Sequence, residues 1–166
     1  MPEKKANIVV SFCCEHQDIG VDLEKLKDLA ENICRSFDIT GATISIAIVG
    51  DNEIQKINIE FLNTAAKTDV ISFDLSDDTA GAKDYQLVVN ADEAGRQAQK
   101  RGHDIEAELA LYIAHGLLHN LGFNDAKTDE AQKMHDLEDE ILQQAGFGII
   151  YNNGKTNKKK DKTTSE

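Results

Sequence analysis

The chain reads as an α/β protein, a small mixed four-stranded sheet packed with helices, and three observations carry that expectation. Strand-like and helix-like patterning alternate through the first half and give way to helical patterning in the second. Apolar residues make up 40% of the 166, with no Trp and few aromatics, which suits an aliphatic α/β core better than a β-sandwich. The only proline is Pro2, so the rest of the chain is free of helix breakers. A chain of this length can bury a real core as one domain.

Asn7 to Phe12 reads as a short buried strand. From Asp22 to Phe37, Leu23, Leu26, Ala30, Ile33 and Phe37 recur at helical spacing, and Gly41 ends that unit. Thr43, Ser45 and Ala47 then alternate with Ile44, Ile46 and Ile48, the period-2 signature of a half-buried strand. Gly50 and Asp51 form a turn, and Asp51 or Asn52 can cap a helix reaching Leu62. Val70 to Leu75 is the third strand, Ser76 to Asp84 a polar loop, and Leu87 to Asn90 the fourth strand.

Helices follow from Asp92 to Lys100 and from Asp104 to Leu121, stopped by Gly102 and Gly122. Thr128 is positioned to cap the last, which carries Ala131, Met134, Leu137, Ile141 and Leu142 on one face and stops at Gly146. Residues 1–151 form the expected single domain. The polar, lysine-rich segment 152–166 is expected to be disordered. No G-x-G-x-x-G follows the first strand, which argues against a dinucleotide fold.

Three cysteines, Cys13, Cys14 and Cys34, are an odd number, and the first two are adjacent. They read as reduced thiols packed in a core, in a reducing compartment. With neither a secretory signal pattern nor a run approaching ~20 apolar residues, the expected location is cytoplasmic, away from membranes.

The net charge of −12 opposes nucleic-acid binding by the folded body. Removing the five Lys and two acids of Lys155 to Glu166 leaves 13 basic against 28 acidic residues, a net of −15. RNA would need a local basic patch, the tail or a metal. Arg96, Lys100 and Arg101, at near-helical spacing, are the best such patch in the body, or else a solvated face.

The stretch that carries chemistry is HGLLHNLGFND, His115 to Asp125. His115 and His119 lie one helical turn apart on one face, so both imidazoles can reach one ion at roughly 2.0–2.1 Å. Gly122 then breaks the helix and lets the chain present Asp125 to the same ion. H-x3-H-x2-G-x2-D is thus a three-ligand pattern with an open position for water, as a zinc-like ion requires for hydrolysis. The bland alternative is a pair of packed, hydrogen-bonded histidines. Peptidases of the H-E-x-x-H kind use the Glu after the first His as general base, and here that position is Gly116. A glycine inside a helix costs about 1 kcal/mol against Ala, so its presence suggests close approach of a strand or substrate.

HGLLHNLGF resembles the signature of the YbeY family, metal-dependent endoribonucleases of ribosomal RNA maturation. KTDVISFDL (Lys67 to Leu75) is similar to that family's TDVLSF strand, and LVVNADEA, HDIEAELALYIAHG and MHDLEDEIL fit its order. The resemblance spans roughly residues 8 to 145. It implies a zincin-like metal-site helix in a metallohydrolase-like domain, with one zinc ion per chain on His115, His119 and Asp125. His115 and His119 are then the catalytic pair, acting on single-stranded or ribosomal RNA, with ribosomal small-subunit proteins as further partners.

Three departures stand out. Asp125 replaces the family's usual His, Leu62 falls where an Arg lines the family's cleft, and Tyr85-Gln86 replaces a Gly-acid pair. Thr68 and Asp69 either orient ligand or substrate or form a turn. Ser72 faces away from Ile71 and Phe73 toward the RNA backbone, and His103 is a substrate group or a solvated cap. Glu106 and Glu108 are expected at the surface, and Asn124 in the turn. Two rival readings remain: a noncatalytic assembly factor with a structural metal, and a metal-dependent hydrolase of another substrate.

Overall fold

The computed structural model describes residues 7–15, 20–63, 68–77 and 82–147. Among these, β1 (Ile8–Cys14), α1 (Leu23–Ser36), β2 (Ala42–Val49) and α2 (Asp51–Leu62) come first. They are followed by β3 (Val70–Asp74), β4 (Lys83–Asn90), α3 (Ala91–Arg101), α4 (Ile105–Asn120) and α5 (Thr128–Gln144). The strands order as β1-β2-β4-β3; β1, β2 and β4 run parallel, and β3 pairs antiparallel to β4. The sheet is therefore mixed and four-stranded, as the sequence predicts.

Alternation along β2 works as expected. Ile44, Ile46 and Ile48 face one side and are buried with Leu26, Leu29 and Ile33 of α1 and Leu109, Ile113 and Leu117 of α4. Val49, Ile54, Ile71 and Val88 form a second cluster on the face that α2 covers. Helix α4 is apolar almost all round and buried from Ala107 to Ala114, the pattern of a helix enclosed on every side. It touches β3, β4, α1, α3 and α5, so whatever it carries at its C-terminal end is held from several directions.

Several expectations are revised. β4 begins at Lys83 inside the expected loop, because Lys83 and Asp84 pair with Ala42 and Thr43 of β2 although both are exposed. The N-cap residues of α2 and α5 are Gly50 and Lys127, and neither supplies a capping side chain; at α2 the Asp51 N–H donates instead to Asp92 Oδ2 at 2.9 Å. Cys34 is core, as expected, but Cys13 and Cys14 stand exposed on the edge strand β1. The lysine-rich segment 152–166 lies outside the described residues.

Gly116 has a packing reason. A Cβ there would lie 2.9 Å from a Leu87 methyl and 3.1 Å from a Val70 methyl. The close approach is to the sheet. Gly116→Val should cost about 2 kcal/mol by overpacking, seen as a lower urea midpoint at unchanged m-value; wild-type stability would contradict this contact. Cys34 is protected by burial, which pushes its thiol up to about 11. A colorimetric thiol titration at pH 8 should find two thiols in the native protein and the third only after unfolding; rapid labelling of all three would show that Cys34 is reachable.

Candidate metal centre

The end of α4 builds the site. Gly122, at φ 102°, takes the left-handed conformation that Gly adopts most readily. Its N–H bonds the His119 carbonyl while Phe123 N–H bonds that of Leu118, closing the helix in a Schellman turn. The chain reverses there, and Asn124 Oδ1 accepts from Ala126 N–H at 2.9 Å, holding the next turn around Asp125.

Three side chains from this unit converge. His115 Nε2 and His119 Nε2 are 3.0 Å apart, and Asp125 Oδ2 is 3.5 Å from each. Ligands at 2.0–2.1 Å around a tetrahedral ion would be about 3.3 Å from one another, so the triangle has the dimensions such an ion needs. It is more open toward Asp125, whose side chain is 39% exposed against 18% for His115.

The outer nitrogens are also held. His119 Nδ1–H donates to the Phe123 carbonyl at 3.2 Å. His115 Nδ1–H donates to Glu138 Oε1, and the other Glu138 oxygen accepts from His135 Nδ1–H at 2.9 Å. With Nδ1 protonated in both histidines, each Nε2 would offer a lone pair to the common point, the outer arrangement that a histidine metal site uses. Burial alone would push the Glu138 carboxyl up, but the hydrogen bonds from His115 and His135 outweigh it and hold the group below the ordinary range. Burial would likewise lower the His115 imidazole; the bond and charge of Glu138 raise it.

A recess of about 330 Å³ adjoins His115 and includes Thr68, Asp69, Arg101, Tyr112 and His135 in its wall. Thr68 and Asp69 are fixed there by Asn90, fully buried, whose side-chain amide donates to the Thr68 carbonyl at 3.0 Å and to Asp51 at 2.8 Å. The Asn90 side-chain oxygen caps α3. A larger hollow of about 570 Å³, between β1 and α1, holds none of these groups.

Of the residues singled out in sequence, His115, His119 and Asp125 come together, and Thr68 and Asp69 stand beside them. Ser72 lies on β3, on the same sheet face as Val70, outside the wall of the recess. His103 precedes α4 and is not among the residues that line the recess.

Glu108 corrects the surface expectation. It is fully buried, and Arg101 answers it at 3.3 Å. Arg96 is tied at 2.8 Å to both carboxylate oxygens of Asp51. Two members of the expected basic patch are thus paired with carboxylates.

Glu138 and His135 were missed in sequence. The buried face of α5 contains Met134, Glu138 and Leu142, whereas Leu137, expected there, is only partly buried. The signal was present, since Glu138 falls four residues after Met134 and four before Leu142, inside an apolar stripe.

Glu138→Gln keeps the shape but leaves one imidazole N–H without its acceptor, at a cost of roughly 1–3 kcal/mol near neutral pH. The carboxylate's contribution is fully present above the unfolded glutamate value of about 4.3 and is lost as pH falls through its depressed native value. The stability gap between wild type and E138Q, followed by urea denaturation of metal-free protein, should narrow below about pH 4; an equal gap at pH 3 and pH 7 would refute the charge-based account.

The family model described as Endoribonuclease YbeY matches residues 11–146. Among similar curated proteins, each named Endoribonuclease YbeY, that of Bacillus licheniformis is 36% identical over 57% of this chain and 66% of its own length. That of an Anaeromyxobacter species is 36% identical over 76% of this chain and 67% of its own. That of Aquifex aeolicus is 32% identical over 66% and 74%. The alignments thus span about two thirds of the length of the first of these relatives. The solution structure of TM1509 from Thermotoga maritima shares the fold, with a TM-score of 0.53 at 21% identity, covering 83% of this chain and 91% of that one.

Proposed function

The chain belongs to the endoribonuclease YbeY family, and we propose that it is a metal-dependent endoribonuclease cutting single-stranded RNA in ribosomal RNA maturation. The observation that carries this reading is the triangle of His115 Nε2, His119 Nε2 and Asp125 Oδ2, with edges of 3.0, 3.5 and 3.5 Å. These three would hold one zinc ion per chain. When bound, zinc supplies Lewis acidity toward a phosphoryl group and makes water a nucleophile near neutral pH.

The chain's own residues do the rest. Glu138 and the Phe123 carbonyl keep protons on the outer nitrogens of His115 and His119, so neither ring must reorient when substrate arrives. Thr68 and Asp69, anchored by Asn90, form a fixed wall next to His115. We place Ser72 and His103 outside the reacting centre. The setting would be the cytoplasm, with ribosomal small-subunit proteins as neighbours; among the described residues no helix is long and apolar enough to cross a membrane.

One observation favours a second reading, a noncatalytic assembly factor whose metal is structural. The chain carries a net −12, and Arg96 and Arg101 are bound to carboxylates.

Metal analysis and cleavage of a single-stranded RNA, on wild type beside His119→Ala, decide between them. The nuclease reading expects about one ion per chain and cleavage in wild type, with both lost in a folded His119→Ala protein and cleavage lost on chelation. Bound metal with no cleavage in wild type would move the assignment to the assembly factor. No bound metal would remove the triangle as a ligand set.

A further inference from the structure

The recess beside His115 has walls of a definite chemical sense. Asp69, Glu93 and Glu138 bring three carboxylates to it against one guanidinium, that of Arg101, which already faces Glu108 at 3.3 and 3.5 Å. Such a wall repels a phosphate and welcomes hydrogen-bond donors.

The carboxylates are not equally engaged. Glu138 is held by His115 and His135, and Glu93 by Gln97 at 3.2 Å and Arg96 at 3.4 Å. Asp69 uses a single oxygen, Oδ1, for both Val70 N–H at 2.8 Å and the Thr68 hydroxyl at 3.3 Å. Its Oδ2 takes part in neither bond.

A second observation points to a ligand. The Tyr112 side chain, in the same wall, is only 3% exposed, and its hydroxyl meets no partner at hydrogen-bonding geometry among the described residues, although the Glu108 carboxylate lies near it. A buried polar atom left in that state in a cavity wall is a place where a bound molecule gains a bond. The volume, about 330 Å³, lies at the small end of ligand pockets, which run from about 300 to 1,000 Å³, and suits one planar ring system better than an oligonucleotide.

We propose that this recess is the subsite for the nucleobase next to the scissile phosphodiester, and that it selects guanine. The inference rests on the endoribonuclease reading and adds base selectivity to it. Guanine carries N1–H and the N2 amino group side by side, a pair of donors that converge on one acceptor oxygen, and Asp69 Oδ2, which neither internal bond uses, supplies that oxygen. Its O6 and N7 acceptors suit a guanidinium, which Arg101 supplies from the same wall. Uracil and adenine lack the donor pair, and cytosine offers only its N4 amino group. Unstacked bases of single-stranded RNA are read on these edges by protein side chains.

The test uses the metal-loaded full chain and the four ribonucleoside 5′-monophosphates. Guanosine monophosphate should bind about ten-fold more tightly than uridine monophosphate, and RNA should be cut preferentially beside guanine. Asp69→Asn keeps the Oδ1 acceptor for Val70 and Thr68 but turns the second oxygen into a donor. It should abolish the guanine preference while metal content stays the same.

Equal binding of the four nucleotides, or a preference that survives Asp69→Asn, overturns the proposal. If the variant does not fold, the wild-type His135 ring resonances serve instead. They should shift with guanosine but not uridine monophosphate, and no selective shift overturns the proposal. Cleavage without base preference would sink the recess assignment and leave the nuclease standing. Selective guanine binding without cleavage would keep the recess and sink the nuclease.

Discussion

The buried carboxylate of Glu138 is the constraint on which the rest of the site depends. A carboxylate with no solvent exposure survives in a protein interior only if its charge and lone pairs are met, and here two imidazole N–H groups meet them. One belongs to α4 and the other to α5. The same interaction therefore docks the last helix, selects the tautomer of His115 and aims its Nε2 at His119 and Asp125. Breaking it would disturb the packing and the geometry of His115, His119 and Asp125 together.

A similar logic organises the polar groups around it. Glu108, also fully buried, is answered by Arg101 from the end of α3, and Asn90 joins Thr68, Asp51 and the start of α3 through one side chain. These residues line or flank the recess, whereas the packing of α1 and α4 on the sheet is aliphatic. The molecule separates a featureless core, which supplies burial free energy, from a polar side whose groups must satisfy one another. Such satisfied networks hold side chains in fixed positions, which a catalytic site needs before substrate arrives.

Charge then becomes intelligible. An acidic protein acting on a polyanion, as proposed, would not rely on a broad basic surface, and Arg96 and Arg101 are committed to the carboxylates of Asp51 and Glu108. In the proposed reading, attraction for the phosphodiester is concentrated at the cation held by His115, His119 and Asp125, while the neighbouring recess favours hydrogen-bond donors over anions. The two neighbouring regions would thereby hold the backbone and the base of the same nucleotide in different places.

The sequence by itself determined the order of strands and helices, the mixed sheet, the end of α4 at Gly122 and the meeting of His115, His119 and Asp125. The mixed sheet follows from the succession of elements along the chain, and the others from spacing within a few residues: alternation in β2, one helical turn between the histidines, and a glycine that lets the chain reverse. Only the tertiary structure decided that Glu138 rather than Leu137 faces inward, that Glu108 is buried, and that Cys13 and Cys14 are exposed. Each depends on a partner distant in the chain or on which strand lies at the sheet edge. Local patterning reports which face of an element is apolar, but a buried charge is stable only beside the group that answers it, and that group is chosen by the packing of helices and strands against one another.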